Sequence, residues 1–451
     1  MKRHSPCLVL AALLATGVSI VAQQRITFDE ARPVFDALGA NLPAEFRDRP
    51  LQVVRGEWGD WLARHDRDVR ARLARGDEDS VVNFWLYGTS FTTHPPAAAT
   101  RTAAASADDL AARRLDDFLD GVRAPGANER LRFARELLVA RQADPSTTEG
   151  RAAARTWLLE TRRRMIDEFA ATDRALAAAG RAGGGAATTA AATVFRARGL
   201  STDTSILSGY SVSVALDAVA KQQLLLPAGV VRAAVVGPGL DFTNKADGYD
   251  FYPEQSIQPF ALVDTLRRLR LAAPALRVTA FDVSERVNRH FQAARARTGP
   301  YVLTLPLDGG EKWMPPLVAY WKAAGRAIGD DLRAPRPPDA AGDVMVRAVR
   351  VRDDVVQAID PRALDVVVDR LPLAPGERFD LVVATNVLVY YDVFEQALAL
   401  ANIASMLRPG GVLLTNSAAL PSPPLSPSAT YLRVQHTPER YDEMFWYVRD
   451  R

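Results

Sequence analysis

The sequence predicts an α/β protein, a mostly parallel sheet covered by helices, preceded by an all-helical N-terminal domain. Three observations carry this. Residues 25 to 179 are rich in Ala, Arg, Leu, Asp and Glu, with apolar positions at helical spacing such as Trp58, Trp61 and Leu62, or Leu131, Phe133, Leu137 and Leu138. Residues 180 to 199 open with Ala, Gly and Thr broken only by Arg181, including glycines at 183 to 185; such a run cannot bury a core and reads as a linker. From residue 200 to 451, short Val- and Leu-rich runs alternate with helical stretches, the pattern of strands buried on both faces. At 451 residues, 48% hydrophobic and 24% charged, the chain has material for two or three domains and lies far from a disordered composition.

At the N-terminus, Lys2-Arg3-His4 precedes an apolar run from Cys7 to Ala22 and then polar Gln23-Gln24-Arg25, the layout of a signal peptide over residues 1–22. The run is shorter than the ~20 residues of a membrane-spanning helix, so the expectation is cleavage after Ala22 and export to the periplasm or beyond. An uncleaved anchor is the alternative, because Ile20 is larger than the small residue usual there; with the signal unused, the chain is cytoplasmic. No later segment is long and apolar enough to span a bilayer.

In the helical half, Pro95-Pro96 marks a loop, and Ser146-Thr147-Thr148-Glu149 caps a long helix reaching Ala179, with Gly180 placed to end it. In the second half the expected strands are Val231 to Val236, Arg277 to Phe281, Leu364 to Val368, Phe379 to Ala384 and Val412 to Asn416. Helices are expected at Gln255 to Leu271, Ser284 to Ala296, Pro315 to Ile328 and Asp392 to Leu407. After the proline-rich turn at Pro421 to Pro427, Thr430 to His436 and Met444 to Arg449 read as an antiparallel hairpin at the sheet's edge.

Composition also excludes. Formal net charge is +3, and Lys2 and Arg3 supply two of those charges, so no nucleic-acid partner is expected. The 5 histidines, His4, His65, His94, His290 and His436, do not pair at ligand spacing, and Cys7 is the sole cysteine; no metal site, disulfide or thiol nucleophile is expected. Gly88-Thr89-Ser90-Phe91-Thr92 lacks the second glycine of a nucleophile elbow. The aromatic stretch Asn83 to Ser90, with Tyr249, Phe251 and Tyr252, reads either as core packing or as the wall of a ligand pocket.

In an open parallel sheet a ligand lies beyond the carboxyl ends of the strands. After the first strand comes Gly237-Pro238-Gly239-Leu240-Asp241, where glycines let a backbone approach a ligand closely. Asp282 follows the second strand and can accept hydrogen bonds from both hydroxyls of a ribose. Asp369 follows the third, Ala384-Thr385-Asn386 closes the fourth, and Leu407-Arg408-Pro409-Gly410-Gly411 leads into the fifth. Singly, each has a structural reading as a tight turn or a helix cap.

Together, in this order and spacing, they resemble the class I S-adenosylmethionine-dependent methyltransferases, which implies a Rossmann-like, seven-stranded mixed sheet ending in a reversed hairpin. Locally the chain is most similar to the chemotaxis receptor-glutamate methyltransferases. Three stretches carry that likeness: Ala280-Phe281-Asp282-Val283-Ser284 and the helix after it, Phe379-Asp380-Leu381-Val382 through Asn386-Val387-Leu388-Val389-Tyr390-Tyr391-Asp392, and Leu407-Arg408-Pro409-Gly410-Gly411. The resemblance covers about 200 to 451 and implies S-adenosylmethionine as cofactor, with a small-molecule or protein acceptor left open. It would put Gly237 and Gly239 beside the methionine part, Asp282 on the ribose, Asp369 near the adenine and Asn386 at the reacting methyl. Glu254 would match the acidic residue that meets the amino group, and Tyr390, Tyr391 and Asp392 would be nearest the acceptor, unless they serve as packing and a cap.

Two departures stand out. Val235 occupies the usual acidic position two before the first glycine, and Asp241 replaces the third glycine; Asp241 or Glu254 then stands in for the missing carboxylate. An exported, non-catalytic binding protein on the same fold is the alternative function. A nicotinamide-dependent oxidoreductase fits Gly237-Pro238-Gly239 but not the distance to Asp282, since ~20 residues separate the acidic residue from a dinucleotide glycine loop.

Overall fold

The computed structural model describes residues 23–97, 104–182, 198–243, 250–308, 313–342, 344–418, 424–427 and 431–450. The expected signal peptide and most of the expected linker lie outside them. Strand β1 (Gln24–Arg25) leads into helices α1 (Phe28–Leu38), α2 (Leu51–Gly56), α3 (Trp58–Tyr87), α4 (Ala104–Arg123), α5 (Glu129–Ala140) and α6 (Thr148–Ala182). Thr147 caps α6 through the amide of Gly150 at 3.0 Å, and the helix continues through Gly180 to Ala182.

The α/β part runs α7 (Ser208–Lys221), β2 (Val230–Val236), α8 (Gln258–Arg268), β3 (Ala272–Asp282), α9 (Glu285–Ala296), β4 (Tyr301–Asp308), α10 (Pro315–Ala323), β5 (Gly329–Leu332), β6 (Met345–Val351), α11 (Asp353–Ala358), β7 (Ile359–Ala363) and β8 (Asp369–Arg370). It closes with β9 (Phe379–Ala384), α12 (Val393–Met406), β10 (Leu407–Thr415), β11 (Leu425–Pro427), β12 (Leu432–Gln435) and β13 (Tyr441–Arg449). Five strands in the order β7, β3, β2, β9, β10 are parallel, and β13 returns antiparallel against β10. The α/β class and mixed sheet expected from sequence are the ones observed. The sheet has 8 strands because β11 and β12 pair in succession along the outer edge of β13.

Side chains alternate between two cores, as strands covered on both faces require. Ala233, Val235, Leu381 and Val383 face α7, α8 and α9, while Ala234, Val236, Val382 and Ala384 face α12 together with α1 and the start of α3. The helical half therefore shares a core with the sheet. Phe35 and Phe46 each lie 4.9 Å from Phe394 of α12, ring centre to ring centre. A third, mostly helical core contains Phe84, Trp85, Phe118 and Leu138, and receives Phe242 from the loop after β2.

Two sequence expectations shift. The strand expected at Leu364 to Val368 is a turn; the third parallel strand is β7, one element earlier, where Pro361 is tolerated because β7 is the sheet's edge. Residues 301–351 also carry a separate antiparallel sheet, β4–β6–β5, that their mixed polar pattern did not announce. Among the described residues no helix is long and apolar enough to cross a membrane.

Candidate functional site

A cavity of about 530 Å³ opens at the carboxyl ends of β2, β3 and β9. Its floor is the glycine turn. Gly237 and Gly239 have φ of 64° and 59°, in the left-handed region, and a Cβ on Gly239 would stand 2.7 Å from the carbonyl oxygen of Thr202. Gly239 is thus demanded first by the chain's own crossing, because Leu200 to Leu207 runs over this turn and forms a wall of the cavity, whereas a Cβ on Gly237 would stand 2.5 Å from Cγ2 of Val387. Leu240 and Thr202 exchange backbone contact there, the amide of Leu240 donating to the carbonyl of Thr202 at 2.8 Å.

Asp282 ends β3 and lines the cavity. Its carboxylate accepts from the amide of Ser284 at 2.8 Å and from that of Gly239 at 3.3 Å, which fixes it to the glycine turn and leaves further lone pairs. Burial pushes this carboxyl up to about 6 against the pull of those two amides. Asp241 also lines the cavity; Tyr252 and Gln255 donate to it at 2.7 and 2.8 Å, and burial raises its carboxyl too. Asp203 is a third carboxylate in the lining, set against one guanidinium, Arg440. The hydroxyls of Thr202 and Thr243 line the same space, are almost wholly buried, and have no hydrogen-bond partner among the described residues. Buried hydroxyls are seldom left so.

At the end of β9, Asn386 has φ of 59° and exchanges side-chain and backbone hydrogen bonds with Asn416, at 2.7 and 2.8 Å. The pairing ties the loop after β9 to the loop after β10. Tyr390 lies one short turn further on, its phenol raised by burial, and its carbonyl accepts from Arg72 of α3 at 2.6 Å. Leu73, the next residue of α3, closes the cavity from the helical half.

Gly237, Gly239, Asp241, Asp282, Asn386 and Tyr390 are therefore brought together. Asp369 and Glu254 are not. Because β7 ends at Ala363, the turn after it delivers Asp369 into β8, where its carboxylate accepts from Nε of Arg25 at 3.1 Å beside the β1–β8 pairing. Glu254 turns toward the helical half: its amide donates to Glu129 at 3.0 Å and its carboxylate faces Arg286 at 3.9 Å. The aromatic stretch of α3 is core, with Phe84 and Trp85 in the helical cluster; Phe251 and Tyr252 lie outside the lining, and Tyr249 falls outside the described residues. Sequence reasoning missed Thr202, Asp203 and Arg440. The polar run Ser201 to Ser205 directly after the linker was the available signal for the first two.

Among the described residues no group of His, Cys, Asp and Glu could hold a metal ion. No protein-family profile matches the sequence, and no curated protein does. Solved structures similar to part of the chain include an N-methyltransferase, NodS, from Bradyrhizobium japonicum, 15% identical over 53% of this chain and 97% of that one, with a TM-score of 0.25. A magnesium protoporphyrin IX methyltransferase from Synechocystis is 13% identical over 54% and 78%, with a TM-score of 0.25. An O-methyltransferase from Bacillus cereus is 13% identical over 56% and 84%, with a TM-score of 0.24.

Proposed function

We propose that the chain is an S-adenosylmethionine-dependent methyltransferase. The observation that carries the reading is the convergence of Gly239, Asp282 and Asn386, ends of three adjacent parallel strands, on one cavity of about 530 Å³. The cavity's chemistry fits the cofactor. Three carboxylates against one guanidinium favour a ligand carrying a sulfonium and an ammonium group, and the two partnerless threonine hydroxyls can donate to its carboxylate. Asp282, already held by two backbone amides, is placed to accept from a ribose diol.

S-adenosylmethionine, when bound, supplies a methyl group on a positively charged sulfur. The acceptor's lone pair forms the bond to that carbon as the carbon–sulfur bond breaks and its electron pair stays on sulfur. This chain's part is alignment and exclusion of water, worth on the order of 7–11 kcal/mol when the geometry is right. Asn386 and Tyr390 border the reacting end; Tyr390, kept neutral by its raised phenol, acts as a donor. Among the described residues no Lys, His or Cys lies in the lining, and its carboxylates or water are the groups there that can take an acceptor's proton. Isothermal titration with S-adenosylmethionine and S-adenosylhomocysteine tests the reading: saturable binding that Asp282→Ala weakens about tenfold or more supports it, and no binding of either refutes it.

A further inference from the structure

Glu254 turns away from the cavity, and its neighbour Gln255 reaches it through another carboxylate. Asp241, in the loop after β2, lines the cavity and is 2% exposed. Its main chain is pinned: the amide donates to the carbonyl of Gln255 at 2.7 Å, and the carbonyl accepts from Arg130 at 3.1 Å. The side-chain torsions are the freedom that remains. They are set through one oxygen, because the hydroxyl of Tyr252 and Nε2 of Gln255 both donate to Oδ2, at 2.7 and 2.8 Å. Oδ1 has no hydrogen-bond partner among the described residues, yet it is not one of their partnerless atoms sealed from solvent, so this oxygen keeps an open side on a residue of the cavity wall.

The direction of the Gln255 amide follows from donor rules. The main-chain amide of Thr304, in β4, can only donate, and it meets Oε1 of Gln255 at 2.7 Å. Nε2 then has two hydrogens to place: one goes to the carbonyl of Thr304 at 2.8 Å and the other to Asp241. A flipped amide would set its oxygen against both the Thr304 carbonyl and the Asp241 carboxylate. One residue on, the amide of Ser256 donates to the hydroxyl of Tyr301, also in β4, at 3.0 Å. Gln255 and Ser256 are therefore both strapped to β4, and the antiparallel sheet β4–β6–β5 backs the cavity through them.

We propose that Gln255 and Tyr252 are positioning residues: by taking Oδ2 of Asp241 between them, they present Oδ1 to the cavity as the anchor for a ligand's primary ammonium group. Asp241 is the residue that touches the ligand, and the other two act through it. The identity of the ligand rests on the methyl-transfer reading, and the aim of the carboxylate on hydrogen-bond geometry alone.

The test uses the full chain and two ligands, S-adenosylhomocysteine and the analogue carrying hydrogen in place of its α-amino group, each measured by calorimetric titration. S-adenosylhomocysteine is expected to bind the unaltered chain about tenfold or more tightly than the analogue, because a charge-assisted hydrogen bond separates them. Asp241→Asn should erase that preference. Gln255→Met and Tyr252→Phe each remove one neutral donor and should each shrink it about threefold or more, while the analogue's own affinity moves by about twofold at most. A merely structural role would weaken both ligands alike. Tyr252→Phe leaves the pairing of Gln255 with Thr304 intact, and so tests the two-donor aim even where Gln255→Met fails to fold. The proposal is overturned if the unaltered chain does not distinguish the two ligands, if the preference survives in Asp241→Asn or in the folded donor variants, or if both ligands fall together. Binding of S-adenosylhomocysteine without an ammonium preference overturns the anchor and leaves methyl transfer standing; binding of neither ligand overturns both.

Discussion

Arg130→Met asks whether the helical half builds the cavity or merely adjoins it. Arg130 of α5 is 2% exposed and crosses to the loop after β2, where its Nε donates to the carbonyl of Phe242 and its Nη atoms to those of Tyr252 at 2.5 Å and Asp241 at 3.1 Å. The guanidinium also lies over the rings of Tyr252 and Phe242, at 5.3 and 5.8 Å. Methionine fills the stem's volume and offers no donor, so three buried carbonyls lose their partner. One such loss costs about 1–3 kcal/mol, and with partial relaxation the sum is roughly 3–5 kcal/mol. Asp241 and Thr243 bound the cavity on this loop, so S-adenosylhomocysteine affinity should fall by about tenfold or more in the same variant. Urea unfolding followed by fluorescence reads the first effect and calorimetric titration the second. A stability loss under about 1 kcal/mol would refute the clamp, and full affinity in a folded variant would refute its link to the cavity.

Three other outcomes are expected. Asp282, raised by burial from 3.8 to about 6, makes the empty protein less stable as pH climbs through that interval, while a ligand that donates hydroxyls to the ionised carboxylate binds more tightly over the same climb; titrations at pH values either side of 6 should show the rise and Asp282→Asn should flatten it. Gly239→Ala places a methyl 2.7 Å from the carbonyl of Thr202 at a φ of 59°, and should cost about 1–3 kcal/mol together with most ligand affinity; an unchanged thermal midpoint would count against the crossing. His65 is buried between Asp365 at 2.8 Å and Glu395 at 3.1 Å; burial opposes its charge, but the two carboxylates win and hold it at about 10 against 6.5. Its stabilisation is full below pH 6.5 and drains away toward pH 10, a slope that His65→Gln should remove from an alkaline unfolding series.

Much of the architecture could be read in advance because the Val-rich strands are buried on both faces and leave unbroken apolar runs, as in Val231 to Val236 and Phe379 to Ala384. The Phe379-Asp380 pair has a physical reason as well: Asp380 accepts from the amides of Val231 and Arg232 and from Arg408, pinning three parallel strands at their starts. Edge elements hid better. Ile359 to Ala363 contains Asp360, Pro361 and Arg362, a composition acceptable only at a sheet margin, so the apolar Leu364 to Val368 beside it drew the strand assignment and carried Asp369 into the wrong place. Asp241, Asp282 and Asn386 were visible since strand ends fix them locally. Asp203 sits in the polar run Ser201 to Ser205 but reaches the cavity, as Arg440 does, through a crossing of the chain that the local pattern does not place.

The packing of Phe35 and Phe46 onto Phe394 makes the two halves a single folding commitment. Excising residues 200–451 as a minimal α/β unit would bare an aromatic and aliphatic floor along α12, and the product would cluster with itself instead of dissolving. Neither layer could be exchanged for a stranger's without leaving that floor in water.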